Sequence, residues 1–287
     1  MKTGDWVTGQ VKLLVNGTPL EMQLTVQANP VKPQRMLPIF QQVTDLFVDI
    51  GVAAAKKKGK KISCKKGCGA CCRQPVPLAE FEAYNIAEIV EEMPEPRRSE
   101  VKERFNKALT HFAEIGWIER FENCADYSEK ERLEVFLDYF KEGIPCPFLV
   151  DESCSIHQDR PLVCREYLVT NPVNNCSNPT EQTINSVKLP IAPSKNLFKF
   201  GQKKTLGGLN VIPLIMSLKW VEMNPDNFPE KTGGEWMADF FQSITKSEIP
   251  KEPEKPSENS QTDRLKQRFC PRNTRMTRKK KTKNKKR

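Results

Sequence analysis

The chain has 287 residues, of which 38% are hydrophobic and 29% are charged, with a formal net charge of +10 and ten cysteines. This composition excludes a mainly disordered chain, and the length excludes a scaffold too small to bury a core. The first residues lack the basic and apolar regions of a signal peptide, and no apolar run approaches the roughly 20 residues that span a bilayer. We therefore expect a cytoplasmic protein without membrane contact.

The positive charge belongs mainly to the end of the chain. Residues 251–287 carry 15 Lys/Arg and 4 Asp/Glu, which leaves 31 basic and 32 acidic residues before them. The segment 250–287 is polar and contains prolines, so we predict a disordered basic tail. Nonspecific RNA or DNA contact through residues 264–287 is one hypothesis for this tail, and a merely solubilising role is the other.

A hairpin and a helix come first along the chain. Apolar and polar residues alternate on both sides of Asn16-Gly17, a dipeptide that accepts the positive φ angles of a tight turn. LPIFQQVTDLFVDIGVAAA, residues 37–55, then places its apolar residues at helical spacing. We expect this helix to cover the hairpin, because an isolated hairpin is only marginally stable.

Further helical patterns occupy residues 77–93, 95–121 and 128–143, and the last begins with a Ser128/Glu131 capping box. Two more apolar helical segments, 206–223 and 233–245, follow later in the chain. The apolar positions of all these segments are predicted to form the core. None of them carries a recognisable catalytic group.

Eight cysteines form two groups on either side of the helical insertion. Their spacing is C-x3-C-x2-C-C in the first group and C-x7-C-x9-C-x11-C in the second. Cytoplasmic thiols stay reduced, so this density favours metal ligands or redox groups over disulfides. Eight thiolates suffice for two tetrahedral metal sites, or for an iron–sulfur cluster and one metal. The predicted ligands are Cys64, Cys68, Cys71, Cys72, Cys146, Cys154, Cys164 and Cys176.

Two local features modify this hypothesis. The side chains of the adjacent Cys71 and Cys72 diverge, so either they serve different sites or only one of them is a ligand. The connector KKKGKKISCKK, residues 56–66, is either a solvated loop or a source of positive charge that stabilises thiolates.

CKKGCGACC, together with CPFLVDESCSIHQDRPLVCREY, resembles the YkgJ-type cysteine-cluster family, described as a putative zinc- or iron-chelating domain. The resemblance spans Cys64 to Cys176 and includes the Arg-Pro pair at Arg160 and the Cys-Arg pair at Arg165. It implies metal binding, with zinc or iron as the cofactor, the iron also in the form of a 4Fe–4S cluster. It does not define a biological role.

Two enzyme hypotheses remain open. Flagellin lysine N-methylases have a similar cluster, so the resemblance implies an iron–sulfur-dependent enzyme as an alternative, although no segment here matches a methyl-donor site. The spacing of Cys64, Cys68 and Cys71 equals that of radical S-adenosylmethionine enzymes. Those enzymes need alternating strands and helices, whereas the segments after Cys72 have helical patterns. The sequence leaves enzyme activity open and assigns no catalytic residue and no protein partner.

Several other residues have a structural interpretation beside the functional one. His157 is close enough in sequence to Cys154 to ligate, but four thiolates already fill a tetrahedral site. Arg160 and Arg165 either donate hydrogen bonds to ligand sulfurs or form structural ion pairs around the site. Cys124 and Cys270 lie outside the motif, the first as a packing thiol and the second in the tail.

The sequence therefore predicts a mainly α-helical (α+β) fold with an N-terminal hairpin and irregular cysteine-rich loops around a metal centre. We divide it into residues 1–60 (hairpin and helix), 61–180 (cysteine-cluster domain with a helical insertion), 181–249 (helices of the same globular unit) and 250–287 (tail). The predicted function is metal binding by a cysteine cluster.

Overall fold

Residues 5–15, 18–180, 183–201 and 210–245 are described by the structure, which is a computed structural model. All of them belong to one compact unit, Met1–Lys251. The predicted turn at Asn16-Gly17, Cys270 and the tail from residue 250 lie outside the described residues.

Helices dominate the fold. The described strands form antiparallel pairs, which are long in the N-terminal hairpin and only two residues long elsewhere. The predicted mainly α-helical class with a hairpin is therefore confirmed. The strand pairs are β1 with β2, β3 with β6, and β4 with β5. The strands are β1 Trp6–Val15, β2 Thr18–Gln27, β3 Pro77–Leu78, β4 Leu149–Val150, β5 Ser153–Cys154 and β6 Ile212–Pro213. The helices are α1 Leu37–Lys57, α2 Glu80–Glu91, α3 Arg97–Glu114, α4 Trp117–Glu122, α5 Glu129–Lys141, α6 Leu162–Glu166, α7 Val173–Ser177, α8 Pro193–Leu197, α9 Ser217–Met223 and α10 Gly233–Thr245.

The hairpin buries the apolar side of its two strands. Leu13, Val15 and Val26 are buried and belong to the common core. Helix α10 packs against β2 so closely that a Cβ on Gly233 would lie 2.7 Å from the carbonyl oxygen of Gln27. A glycine at this position therefore allows the helix to approach the strand backbone.

Helix α1 is a core helix. Its Phe40 ring stacks on Phe240 of α10, with the ring centroids 4.4 Å apart. By length and composition alone, the segment Pro33–Lys57 is apolar enough to cross a membrane, but half of its most apolar window is buried inside the protein. Burial of residues such as Val43 and Phe47 accounts for this composition.

The helical insertion between the cysteine groups has its own aromatic centre. The ring of Phe112 stacks on Tyr139 with 4.0 Å between centroids, and the indole N–H of Trp117 donates to the carbonyl of Val135 at 2.8 Å. The continuous helix expected over 95–121 is instead two helices, α3 and α4. Gly116 separates them with a φ of 71°, and hydrophobic periodicity carries no signal for such a left-handed residue.

Local hydrogen bonds cap the start of α5 and the end of α1. The capping box at α5 is confirmed, because the Ser128 hydroxyl accepts from the Glu131 N–H while the Glu131 carboxylate accepts from the Ser128 N–H. Helix α1 ends in a Schellman motif, in which Gly59 and Lys60 donate backbone N–H groups back into its last turn. Gly59 has a φ of 71° there.

Replacing Gly59 with alanine should lower the free energy of unfolding by about 1–2 kcal/mol, because a Cβ disfavours the left-handed conformation. The space around that Cβ is empty to 4 Å. Gly9→Ala is a matched control, since its Cβ also meets nothing within 4 Å but Gly9 lies in β1 with no positive φ. Urea unfolding of both variants should show a loss only for Gly59→Ala. Equal losses would contradict a conformational origin of the cost.

Candidate metal centre

The first group of cysteines is arranged by two consecutive turns. The N–H of Cys68 donates to the carbonyl of Lys65 at 3.2 Å, and Gly67 between them has a φ of 80°. A 3₁₀ turn follows and contains the adjacent Cys71 and Cys72, whose side chains are hydrogen-bonded to each other. The two turns therefore bring the sulfur atoms of the first loop into one region.

A tight hairpin forms most of the second cysteine loop. Strands β4 and β5 pair so that Leu149 stands opposite Cys154. Asp151 and Glu152 connect the strands with φ angles of 48° and 54°, as a two-residue turn of this kind requires. Such angles are uncommon for residues other than glycine.

Direct contacts join the two loops. The N–H of Cys146 donates to the carbonyl of Cys72 at 2.7 Å. The Arg73 guanidinium donates to both carboxylate oxygens of Glu152, at 2.7 and 3.1 Å, and to the carbonyl of Gly69 at 2.9 Å. The Glu152 carboxylate also accepts from the N–H of Gly69. We call this arrangement of Gly69, Arg73 and Glu152 the loop clamp.

Helix α6 carries Cys164 and is fixed by neighbours from two distant parts of the chain. Arg165, 7% exposed, donates to the carboxylate of Asp45 in α1 at 2.8 Å. The Glu166 carboxylate accepts from the N–H and the hydroxyl of Ser194 in α8, at 2.7 and 2.6 Å. These bonds hold Cys164 in a set position relative to the core.

A buried glutamate fixes the start of α6. Glu82, 2% exposed, accepts from the N–H of Ala79 at 2.8 Å and from the N–H of Leu162 at 2.9 Å. Burial raises the pKa of Glu82 to about 7, against the effect of both hydrogen bonds. Glu82 therefore joins α2 to α6 at the cost of placing a carboxylate in the core.

Four of the cysteine sulfurs in the described chain accept a hydrogen bond from an N–H group of another residue. Such donors favour the thiolate form and orient the sulfur, as they do around metal-bound thiolates. The N–H donors are Val169 to Cys64 at 3.4 Å, the Asn171 side chain to Cys176 at 3.6 Å, Phe148 to Cys146, and Ile156 to Cys154.

Electrostatic coupling divides the thiols into two groups that share one member. Burial raises the pKa of Cys146 to about 12 and that of Cys164 well above its usual range. The hydrogen bond to Cys72, followed by burial, also raises the pKa of Cys71. The coupled sets are Cys64 with Cys68, Cys71 and Cys176, and Cys71 with Cys146, Cys154 and Cys164.

Within the described ranges, no three His, Cys, Asp or Glu side chains already form a group that could hold a metal ion. The thiols would therefore have to move closer together to enclose one. Their chemistry fits zinc or iron, because clustered cysteine sulfurs with N–H donors are soft ligands that these metals accept. A bound cation would also stabilise the thiolates, which burial and, to a lesser degree, mutual repulsion now disfavour.

The other predicted residues take mainly structural positions. Arg165 forms the ion pair with Asp45, which is one of the two roles expected for it. The Arg160 guanidinium donates to Nδ1 and the carbonyl of His157, at 3.0 and 2.6 Å, and its charge favours the thiolate of Cys154. Burial and the charge of Arg160 lower the pKa of His157. His157 therefore uses Nδ1 within its own loop.

Cys124 lies away from the two groups, in the helical insertion. It is fully buried, and its thiol donates to the carbonyl of Arg120 at 3.4 Å. This contact agrees with the packing role expected from the sequence.

A groove opens beside the first cysteine loop. Its volume is about 690 Å³, and its lining includes Cys68, the loop clamp, Lys141 of α5 and the segment 177–180. A smaller cavity of about 140 Å³ lies next to it, and both share the walls Leu137, Phe140 and Pro179. Together the two spaces run along α5 towards the cysteines.

The smaller cavity reaches Phe136 and Phe140 of α5, which the sequence predicts to lie in the core. It is lined by Cys71, Cys176 and Tyr167, and burial followed by the nearby thiols raises the pKa of Tyr167 to about 12. Helix α5 supplies a wall with its half-exposed Phe136 and Phe140. The sequence did contain a signal for this wall. Helix α5 has more apolar residues than one buried stripe requires, so some of them have to lie outside the core.

The cysteine segment has a counterpart among known protein families. Residues 63–187 match a family described as a putative zinc- or iron-chelating domain. The match confirms the resemblance to a cysteine-cluster family. It supports metal binding by this segment, with zinc or iron as the metal. Comparisons with curated proteins and with solved structures return no match.

Removing the loop clamp should weaken metal binding without unfolding the protein. In Arg73→Gln, metal affinity should fall about 10- to 100-fold, because residues around the ligands orient them. Competition with a chromophoric chelator measures the affinity. Arg98→Gln is the control, since Arg98 in α3 forms a comparably exposed ion pair with Glu95, which precedes the helix. An equal loss in both variants would show that the clamp has no special role.

Glu82 should make stability depend on pH. Its pKa is about 7 in the folded protein and lies near 4.5 in the unfolded chain, so the folded state binds the proton more strongly. The free energy of unfolding should therefore fall, relative to Glu82→Gln, as pH rises from about 4.5 to 7, by up to about 3 kcal/mol. Urea unfolding of both proteins at pH 5 and pH 8 measures this difference. A constant difference would contradict the raised pKa.

Proposed function

We propose that the protein binds zinc or iron at two adjacent four-thiolate sites. Three cysteines of each site come from one coupled set, and the adjacent pair Cys71 and Cys72 gives one sulfur to each site. The first site then uses Cys64, Cys68 and Cys176, and the second uses Cys146, Cys154 and Cys164.

One observation carries this division. Cys71 is coupled electrostatically to both sets of thiols and is hydrogen-bonded to Cys72. Without this pair each set has three sulfurs, one fewer than a tetrahedral thiolate site requires. The divergence of the two side chains expected from the sequence is not seen, since their sulfurs are hydrogen-bonded to each other. One of the two sulfurs therefore has to turn away from the other for the pair to supply both sites.

The family description supports both zinc and iron, and the two metals imply different roles. Four-thiolate zinc is closed and structural, so its binding would contribute to folding. Iron in a thiolate-bound cluster would permit electron transfer or redox sensing. Metal analysis, acid-labile sulfide and an absorption spectrum of protein purified without oxygen distinguish these forms.

Cys146→Ser should lower the metal content from two centres per chain to one, because it removes one ligand from only one site. The measurement is elemental analysis after removal of loosely bound ions. Cys124→Ser is the control, since this thiol is buried but lies outside both sets.

Two results would oppose the proposal. Unchanged metal content in a Cys146→Ser/Cys164→Ser variant would exclude the second site. The other contrary result is a single metal centre per chain in the unaltered protein that is lost when either set of cysteines is replaced. Both sets would then belong to one shared site.

The groove favours a second candidate, an iron–sulfur-dependent enzyme related to the flagellin lysine N-methylases. The smaller cavity beside it reaches Cys71 and Cys176, so a small molecule could approach a cluster held there. A brown protein with acid-labile sulfide, whose spectrum shifts on addition of S-adenosylmethionine, would favour this candidate. A colourless zinc protein would exclude it.

Two predictions from the sequence are not tested by the described residues or their contacts. Nucleic-acid contact through residues 264–287 concerns a part of the chain outside the described residues, and it stays a prediction. Cytoplasmic localisation likewise stays a prediction.

A further inference from the structure

Seven exposed lysines lie between the last turn of α1 and the first cysteine loop. They are Lys56, Lys57, Lys58, Lys60, Lys61, Lys65 and Lys66, and we call them the lysine cluster. The sequence has no Asp or Glu between Asp49 and Glu80. Within the described part of the chain, the lysines in ion pairs are others: Lys12, Lys32, Lys102, Lys107, Lys130, Lys141, Lys219 and Lys231.

The end of a helix explains part of the cluster. Cations in the last turn of α1 and at its cap interact favourably with the negative end of the helix dipole. This accounts for Lys56, Lys57 and Lys58. The remaining four lysines come after the helix, where the dipole has little effect. Their positive charge needs another explanation.

The backbone that carries these four lysines is ordered by hydrogen bonds. The N–H of Lys60 returns to the carbonyl of Ala55 at 3.1 Å, and the N–H of Ser63 pairs with the carbonyl of Val169 at 2.9 Å. The N–H of Cys68 closes the turn that contains Lys66. The cluster therefore belongs to the folded surface, and its lysine side chains extend from an ordered backbone.

We propose that the lysine cluster binds the phosphate backbone of nucleic acid without sequence preference. Lysines are point charges that suit single phosphates, and each contact releases a counterion. No aromatic residue occurs in residues 50–79 to stack on bases, which agrees with backbone contact alone. The proposal concerns residues 56–66 and not the tail, and it does not depend on metal binding.

A membrane is a poorer partner for this surface. Helices that bind lipid interfaces combine basic residues with exposed aromatic or large aliphatic side chains. The exposed large hydrophobic residues of the described chain all lie outside residues 53–66. The residues exposed next to the lysines are Ala53 and Ala54. No large apolar side chain is therefore exposed beside the described lysines that could insert among the acyl chains of a membrane.

The test is fluorescence anisotropy of labelled single-stranded and duplex DNA over a salt series, with the full-length protein. The variant replaces Lys60, Lys61, Lys65 and Lys66 with glutamine and keeps the lysines of the helix end. The control replaces Lys102, Lys107, Lys130 and Lys219 with glutamine, which removes the same charge from helices α3, α5 and α9. All three proteins keep the tail unchanged.

The cluster variant should bind about tenfold or more weakly near 0.1 M salt, and its slope of log K against log salt should decrease by about 3. The control should keep the slope of the unaltered protein within about one unit. Equal slopes for the two variants, or an unchanged slope in the cluster variant, would overturn the proposal.

Two further measurements keep the result interpretable. Thermal unfolding and metal content of the cluster variant should equal those of the unaltered protein. If they do not, Lys57→Gln/Lys60→Gln/Lys61→Gln, which leaves the segment between Cys64 and Cys68 intact, takes its place with the same expected direction. A variant that loses binding to phosphatidylserine vesicles while it keeps DNA binding would overturn the proposal in favour of a membrane surface.

Discussion

The hydrogen bond from the Cys146 N–H to the Cys72 carbonyl, 2.7 Å long, sets the relation between the two cysteine groups. These groups are distant in sequence, and thiols with raised pKa values do not attract one another. The backbone bond and the loop clamp therefore have to bring the loops together before a metal can. Any ion that binds later meets two loops that are already in contact, although no three thiols of the described residues yet form a metal site.

The helical insertion between the two cysteine groups allows their loops to come into contact. Its aromatic centre, with Phe112 stacked on Tyr139, folds α3, α4 and α5 back so that both ends reach the cysteine loops. Helix α5 has two roles, because Tyr139 faces that centre while Phe140 forms a wall of the groove. The same helix thus supports the site and shapes the approach to it.

The sequence was sufficient for features that arise from local rules. Helical periodicity predicted α1, α2 and α5, and the capping box at Ser128 was read correctly because its two hydrogen bonds are local. The break at Gly116 and the left-handed turn at Asp151 and Glu152 were not predictable, since tertiary contacts select those angles. The partner of Arg165 was equally hidden, because Asp45 lies 120 residues away in the chain. The groove depends on how α5 is oriented, which periodicity does not specify.

The neighbours of α6 have a consequence for how this cysteine segment can be used. Arg165 depends on a carboxylate that precedes the segment, and Glu166 depends on Ser194, which follows it. Strand β3, just after the first loop, pairs with β6 near the end of the described chain. A fragment cut at residues 61 and 180 would expose a guanidinium and a carboxylate that the whole protein keeps paired. The cysteine segment therefore depends on contacts with the parts of the chain that precede and follow it. It would not fold in the same way if it were transferred alone to another protein.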